Sequence, residues 1–288
     1  LSDLLANAVA LALLGMCIAL MGRQGVYSMG AWGTSPPLGI VLVLDSLSWL
    51  MLMVVALVGL AATLFSVNYM DRYTARPRYY ALFMLMVAGM NGAILTGDMF
   101  NLYVFIEIAA VASYALVAFG CDEPELEAAF KYAILGSIAS AFVLLSVAVL
   151  YCLCGTVNMA HLGEKLSASG AAAAPRAAVL FSLALLVVGL GLKSALVPFH
   201  AWLPDAHPSA PAPISAMLSG VLIKAIGVYA LIRVAFDVFG ITAQVAQVLM
   251  LLGALSMVIG VVLALAQWDF KRLLAYHSIS QMGYVMLG

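Results

Sequence analysis

Long apolar runs, separated by short polar or proline-bearing gaps, organise this chain. A helix needs about 20 mostly apolar residues to cross a hydrocarbon core about 30 Å thick. Nine runs reach or approach that length: 4–22, 38–66, 80–97, 98–119, 128–154, 178–203, 212–236, 242–266 and 271–288. Pro, Gly and charged residues mark the gaps, as in Ser35-Pro36-Pro37, Asp71-Arg72, Asp122-Glu123-Pro124 and at Asp205. No run alternates with period two, which argues against a β-barrel. The pattern predicts an all-α membrane protein: one transmembrane domain over 1–288, about nine spanning helices, no soluble domain and no linker. The roomy loop is 155–177, and its Ala/Ser/Gly-rich stretch 167–174 reads as a flexible surface loop with no site in it. Both ends fall inside apolar runs, so the expectation is a piece of a longer protein.

Composition sharpens this. Hydrophobic residues make up 66% of the 288 positions and charged residues 9%, against roughly 25% charged in soluble domains. The 12 Lys+Arg nearly cancel the 13 Asp+Glu, which leaves no basic surface for nucleic acid. Alternate loops fall into two sets. The first (67–79, 120–127, 204–211, 267–271) holds Arg72, Arg76, Arg78 and Lys271, with Arg272 at its edge. The second (23–37, 155–177, 237–241) holds Arg23, Lys165 and Arg176, with Arg233 at its edge. The first set is richer by one, which places it on the cytoplasmic side. Cys17, Cys121, Cys152 and Cys154 show no metal or redox spacing. The sixteen methionines form no short-spaced cluster and suit helix packing. Walker and dinucleotide-binding fingerprints, iron–sulfur cysteine runs and haem-ligating histidine pairs are all missing. No cofactor or metal is expected, nor any redox or hydrolytic site in this chain.

With so few charges, those inside apolar runs stand out. Glu107 lies nine residues from one end of 98–119 and twelve from the other, near mid-bilayer. A charge there costs about 2.5–3.5 kcal/mol on the lenient insertion scale. Lys224 has twelve residues on either side within 212–236, too deep for its stem to snorkel to the interface. Its helical neighbours are small and apolar, with Gly220 at i−4 and Gly227 at i+3, and supply no carboxylate. Lys193 follows Gly189 and Gly191 and precedes Pro198. Proline removes a donor and clashes with the carbonyl four residues back, so the 178–203 helix is expected to be broken just after the lysine. Broken helices persist in membranes where protein or a wet cavity covers the freed backbone, and a charge beside such a break is the pattern of an ion site. One carboxylate and two amines at similar depth suit a proton relay, in which a charge arriving at one group changes the proton affinity of the next. His200, His207 and His277 are further titratable candidates, since imidazole can bridge a water chain near neutral pH. His161 reads as solvated. Asp45 and Asp98 read as interfacial caps at helix starts, and Asp237 and Asp269 as residues that end helices. The rival reading is a structural subunit whose buried charges are fixed ion pairs, costly to break and without a transport role.

Three strings carry a resemblance: GDMFNLYVFIEIAAVASYALVAFG, LGLKSALVPFHAWLPDAHPSAPAPISAMLSGVLIKAIGVYALIRV and DFKRLLAYHSISQMGY. They resemble the antiporter-like proton-pumping subunits of respiratory complex I, Mrp-type cation/proton antiporters and membrane-bound hydrogenases. The first and last look most like the D-type Mrp subunit, and FHAWLPDAHPSAPAP looks closer to the hydrogenase and complex I subunits. The resemblance implies a fold of about fourteen helices with two inverted five-helix repeats. Residues 80–236 would form the first repeat and 242–288 the truncated start of the second. It also implies a glutamate paired with a lysine on a discontinuous helix, and a lysine on the next helix that continues the path. The matching positions are Glu107, Lys193 and Lys224, with His200 and His277 added as relay candidates from the residue reading above. Implied partners are other membrane subunits, protons, Na+ as a candidate second ion, and the lipid of a bacterial or archaeal inner membrane. The implied orientation, with KRLLAY on the cytoplasmic side, agrees with the loop charges.

Overall fold

Side-chain caps decide where several helices begin, because the first turn leaves backbone N–H groups unpaired. Asp45 accepts from Ser48 N at 2.8 Å while Ser48 Oγ accepts from Asp45 N at 2.7 Å, a reciprocal capping box. Asp98 caps its helix through Asn101 N at 2.8 Å, and Asp269 through Arg272 N at 2.7 Å. Asp269 therefore starts a helix and does not end one. Asp237 lies inside a helix, 3.3 Å from Arg233 one turn back.

The computed structural model describes residues 2–31, 39–168 and 175–288. In chain order it runs α1 (Ser2–Ala19), β1 (Gly25–Ser28), β2 (Val41–Leu44), α2 (Ser46–Tyr69), α3 (Arg76–Leu95), α4 (Met99–Val117) and α5 (Glu123–Cys154). It continues with α6 (Met159–Ala168), α7 (Arg176–Lys193), α8 (Leu203–Ser209), α9 (Ala212–Phe239), α10 (Ala243–Leu265) and α11 (Phe270–Leu287). Among the described residues, eight helices are long and apolar enough to cross a membrane: α1–α5, α7, α9 and α10. The ninth expected span is α11, an 18-residue helix made more polar by Lys271 and Arg272. It pairs with α10. Buried along most of its length, α9 is the central helix, and α1 and α10 are peripheral.

Two expectations need correction. The 38–66 run is not one helix: residues 41–44 pair antiparallel with 25–28 as a two-stranded ribbon, and the Asp45 cap delays the helix to Ser46. Loop 155–177 is partly helical: Asn158 Oδ1 accepts from His161 N at 3.1 Å and starts α6, which packs on the end of α9. The Ser35-Pro36-Pro37 gap lies outside the described residues, as does most of the 167–174 loop.

The expected break is present. Helix α7 ends at Lys193, and a turn over 194–202 leads into α8. Ala195 sits there at φ 54°, a region that L side chains rarely occupy. The Val197–Pro198 peptide is cis. Protein covers the freed backbone: Ser256 Oγ on α10 accepts from Val197 N at 2.9 Å, and Trp202 Nε1 donates to Leu192 O at 2.9 Å. Ala195 and Leu196 are fully buried. Elsewhere hydroxyls join helices in place of a hydrophobic drive that lipid cannot supply; Ser146 of α5 and Ser182 of α7 lie 2.6 Å apart, oxygen to oxygen.

Candidate functional site

Glu107 projects from the middle of α4 and Lys193 is the last residue of α7, 86 residues later. The fold brings them together: Lys193 Nζ donates to Glu107 Oε1 at 3.3 Å. The same ammonium lies 3.4 Å from the Tyr114 hydroxyl. Ser140 Oγ on α5 donates to the same Glu107 oxygen. Lys193 is 3% exposed, and the Glu107 side chain 28%. The ammonium is thus sealed, while its carboxylate partner keeps an open flank. An ion pair taken out of water holds only where good geometry and extra hydrogen bonds offset the lost hydration. Ser140 and Tyr114 supply those bonds.

Lys224 sits at the centre of α9, where Leu218–Tyr229 has π-helical geometry, a form that recurs at functional sites. Its ammonium donates to the carbonyl of Ser219, and it has no ion pair among the described residues. Ser219 Oγ lies 3.2 Å from His207 Nε2, and His207 is 3% exposed. Ser219 therefore joins Lys224 to His207. Sequence reasoning named His207 as a candidate but had no signal for this link, because π-helical winding is not visible in composition. The end of α7 meets α9 at Gly227, where an added Cβ would lie 2.7 Å from Ser194 Cα. The residue next to Lys193 thus touches the helix that carries Lys224.

The other candidates separate. His200 lies in the turn after the break with its Nδ1 buried and unpartnered, its ring 6.4 Å from that of Tyr276. His277 is exposed on α11, 3.4 Å from the Gln281 side chain, and stands apart from the buried cluster. His161 is half-buried, with its Nδ1 buried and unpartnered. Among the described residues, no three His, Cys, Asp or Glu side chains gather as a metal site.

Ion pairs secure both ends of the bundle. At one end Asp205 of α8 binds Lys131 at 3.2 Å and Arg272 at 3.5 Å, and Lys271 donates to Ala210 O at 2.7 Å. Loops 204–211 and 267–271 of the first set therefore meet on one side. At the other end Arg233 of α9 binds Asp45 at 2.5 Å and donates to Tyr229 OH at 2.9 Å. Burial raises the Asp45 carboxyl, but its bonds to Arg233 and Ser48 prevail and hold it below the usual carboxylate range. Sequence reasoning saw Asp45 only as a cap, since its partner lies 188 residues away.

Residues 96–288 match the family described as NADH:quinone oxidoreductase/Mrp antiporter, TM. Residues 34–80 match the N-terminus of complex I chain 5 (NADH-Ubiquinone oxidoreductase). The chain is 41% identical over 272 residues to the N-type subunit of the NADH-quinone oxidoreductase of Desulforudis audaxviator, covering 93% of this chain and 53% of that protein. It is 36% identical to the D-type subunit of the Na(+)/H(+) antiporter of Alkalihalophilus pseudofirmus, covering 91% and 52%. The structure superposes on a chain of the Mrp complex from Dietzia with a TM-score of 0.88 and 32% identity, covering 98% and 52%. The chain spans about half the length of the relatives it matches.

Proposed function

The chain belongs to the NADH:quinone oxidoreductase/Mrp antiporter transmembrane family, and from that membership we propose that it carries half of a proton-translocating membrane subunit. Helices α3, α4, α5, the broken α7–α8 and α9 form the first five-helix repeat, over 80–236, and α10–α11 begin the second. The subunit works with other membrane subunits of a multisubunit complex. The transported ion is the proton, with Na+ as a countertransported ion in an Mrp-type assembly.

The observation that carries this reading is the Glu107–Lys193 contact beside a helix break covered by protein. A proton that reaches Glu107 through its open flank cancels the carboxylate charge. The Lys193 ammonium then loses its counter-charge and passes a proton on toward α9. Gly227 brings that helix against Ser194. Lys224 takes up the proton there; its bond to the Ser219 carbonyl holds the ammonium, and the Ser219 hydroxyl and His207 lie next to it on the side of α8. His200, with a free ring nitrogen inside the bend, is placed to serve the same stretch. His277, exposed on α11, lies away from this stretch.

A structural subunit with fixed ion pairs explains Glu107–Lys193 but not Lys224, a half-buried lysine that meets no carboxylate among the described residues. Glu107→Gln in the full-length complex tests the relay. Assembly should persist, while proton pumping into vesicles, read with a pH dye, should fall by roughly a factor of ten or more, equivalent to about 1.4 kcal/mol. Glu107→Asp should retain part of the rate. Normal pumping by the assembled glutamine variant rejects the role.

A further inference from the structure

Lys193 has two acceptors, and the relay just described uses one. The second, Tyr114, stands seven residues after Glu107 on α4, two turns along the same helix. Its hydroxyl is 3.4 Å from Lys193 Nζ, and its ring centroid is 6.0 Å from that ammonium. The hydroxyl fits because α5 carries Gly136 at that level: a Cβ there would strike the hydroxyl and lie 2.7 Å from Cζ.

The phenol is held by a closed circuit of contacts. Tyr114 meets Tyr132 edge-on, with centroids 4.5 Å apart at 84°. Tyr132 stacks on Trp202 at 4.1 Å and 6°, and its own hydroxyl is 2.9 Å from Ser113 Oγ. Trp202 Nε1 donates to the carbonyl of Leu192 at 2.9 Å, the residue before Lys193. The circuit returns to the backbone that bears the lysine, so phenol oxygen and lysine stem are fixed relative to each other. Glu107 lacks such a frame: its flank is open and its Oε1 is shared with Ser140.

We infer that Tyr114 is a positioning residue for the relay, a neutral second seat that keeps the Lys193 ammonium aimed once the Glu107 charge is cancelled. The ammonium makes a charge-assisted bond to either oxygen, but the carboxylate adds the attraction of a full opposite charge, so a carboxylate alone leaves the lysine either clamped or loose. A phenol oxygen accepts one N–H and adds no charge. The transferred proton leaves on another N–H, and Tyr114 keeps its own throughout. The titratable groups facing this cluster are Glu107 on α4 and Tyr132 on α5.

The inference rests on the relay reading, and the test separates the two. Tyr114→Phe in the full-length complex removes the oxygen and leaves the ring stack. With assembly normal, turnover should fall about tenfold, as for loss of a hydrogen bond to a charged group, and the half-maximal pH of turnover should move by about one unit. Turnover within about twofold of normal, less than a typical hydrogen bond is worth, overturns the proposal. So does a lower turnover with an unmoved pH profile, which would make the hydroxyl mere filling. Should the phenylalanine variant not assemble, Tyr114→Gln, which keeps a neutral acceptor, is read instead. An assembled glutamine complex should stay within about threefold of normal, and a larger loss overturns the proposal. Glu107→Gln is run alongside: if it pumps normally the relay itself fails, and if it is dead while Tyr114→Phe is normal only the second seat fails.

Discussion

Gly227→Ala should disable transport without touching any group that carries a proton. A Cβ at this position lies 2.7 Å from both N and Cα of Ser194, about 0.8 Å inside the ~3.5 Å of ordinary carbon contact. Ser194 cannot yield by a side-chain rotation, because the contact is with its backbone. That backbone is pinned: its N–H donates to Leu190 O at 2.8 Å and its hydroxyl to the same oxygen at 2.6 Å. The strain must move the end of α7 or push α9 away, at about 1–3 kcal/mol for overpacking. Lys193 is the adjacent residue, so its 3.3 Å contact with Glu107 should open to roughly 4 Å. A 1 Å misplacement costs a positioned reaction about 10²-fold. Pumping into vesicles should therefore drop by about one to two orders of magnitude, while native gels show an assembled complex. Gly15→Ala is the control: an added Cβ there meets nothing within 4 Å, and pumping should be unchanged. An assembled Gly227→Ala complex that pumps normally would show that this helix contact does not set the lysine's place.

Lys224→Ala should abolish pumping, and Lys224→Arg should fail as well, because guanidinium does not release its proton; a normal pumping rate for the arginine variant in the assembled complex rejects the carrier role. Asp45 gives an acid signature: its carboxyl is held below the usual range, so its contribution to stability is complete above about pH 4 and is lost as pH falls through the folded value. Asp45→Asn keeps a cap but loses that titration, so its thermal stability in detergent should change less than wild type between pH 5 and 3; parallel curves would contradict the Arg233 pairing.

Much of the fold could be read from the residues because lipid leaves a chain few options. Backbone groups must be paired within each span, so run length alone located the helices that became α1, α3–α5, α7 and α9–α11. Pro198 after two glycines marked the break, since missing donors and ring clashes are local effects. Asp45 split the 38–66 run for an equally local reason, a capping box over the four residues Asp45–Ser48, which the apolar pattern outweighed. The hairpin was invisible because its strands pair across 25–28 and 41–44, and four-residue apolar runs look alike in helix and strand.

The site divides the same way. Glu107, Lys193 and Lys224 declared themselves by charge in apolar surroundings, which costs too much to be incidental. What each side chain meets was decided by tertiary structure alone. Tyr114 and Tyr132 read as ordinary packing aromatics until Gly136 and Trp202 brought them around the lysine. Ser256 is one more helix serine until the bend exposes the Val197 N–H beside it. His200 and His277 are the same residue type, yet one lies in the break with its Nδ1 buried and the other is exposed beside Gln281. The cost of burying a charge is a property of one residue and its depth, and a linear sequence records both. A partner is a property of two helices and the angle between them, settled only when small residues let the backbones approach.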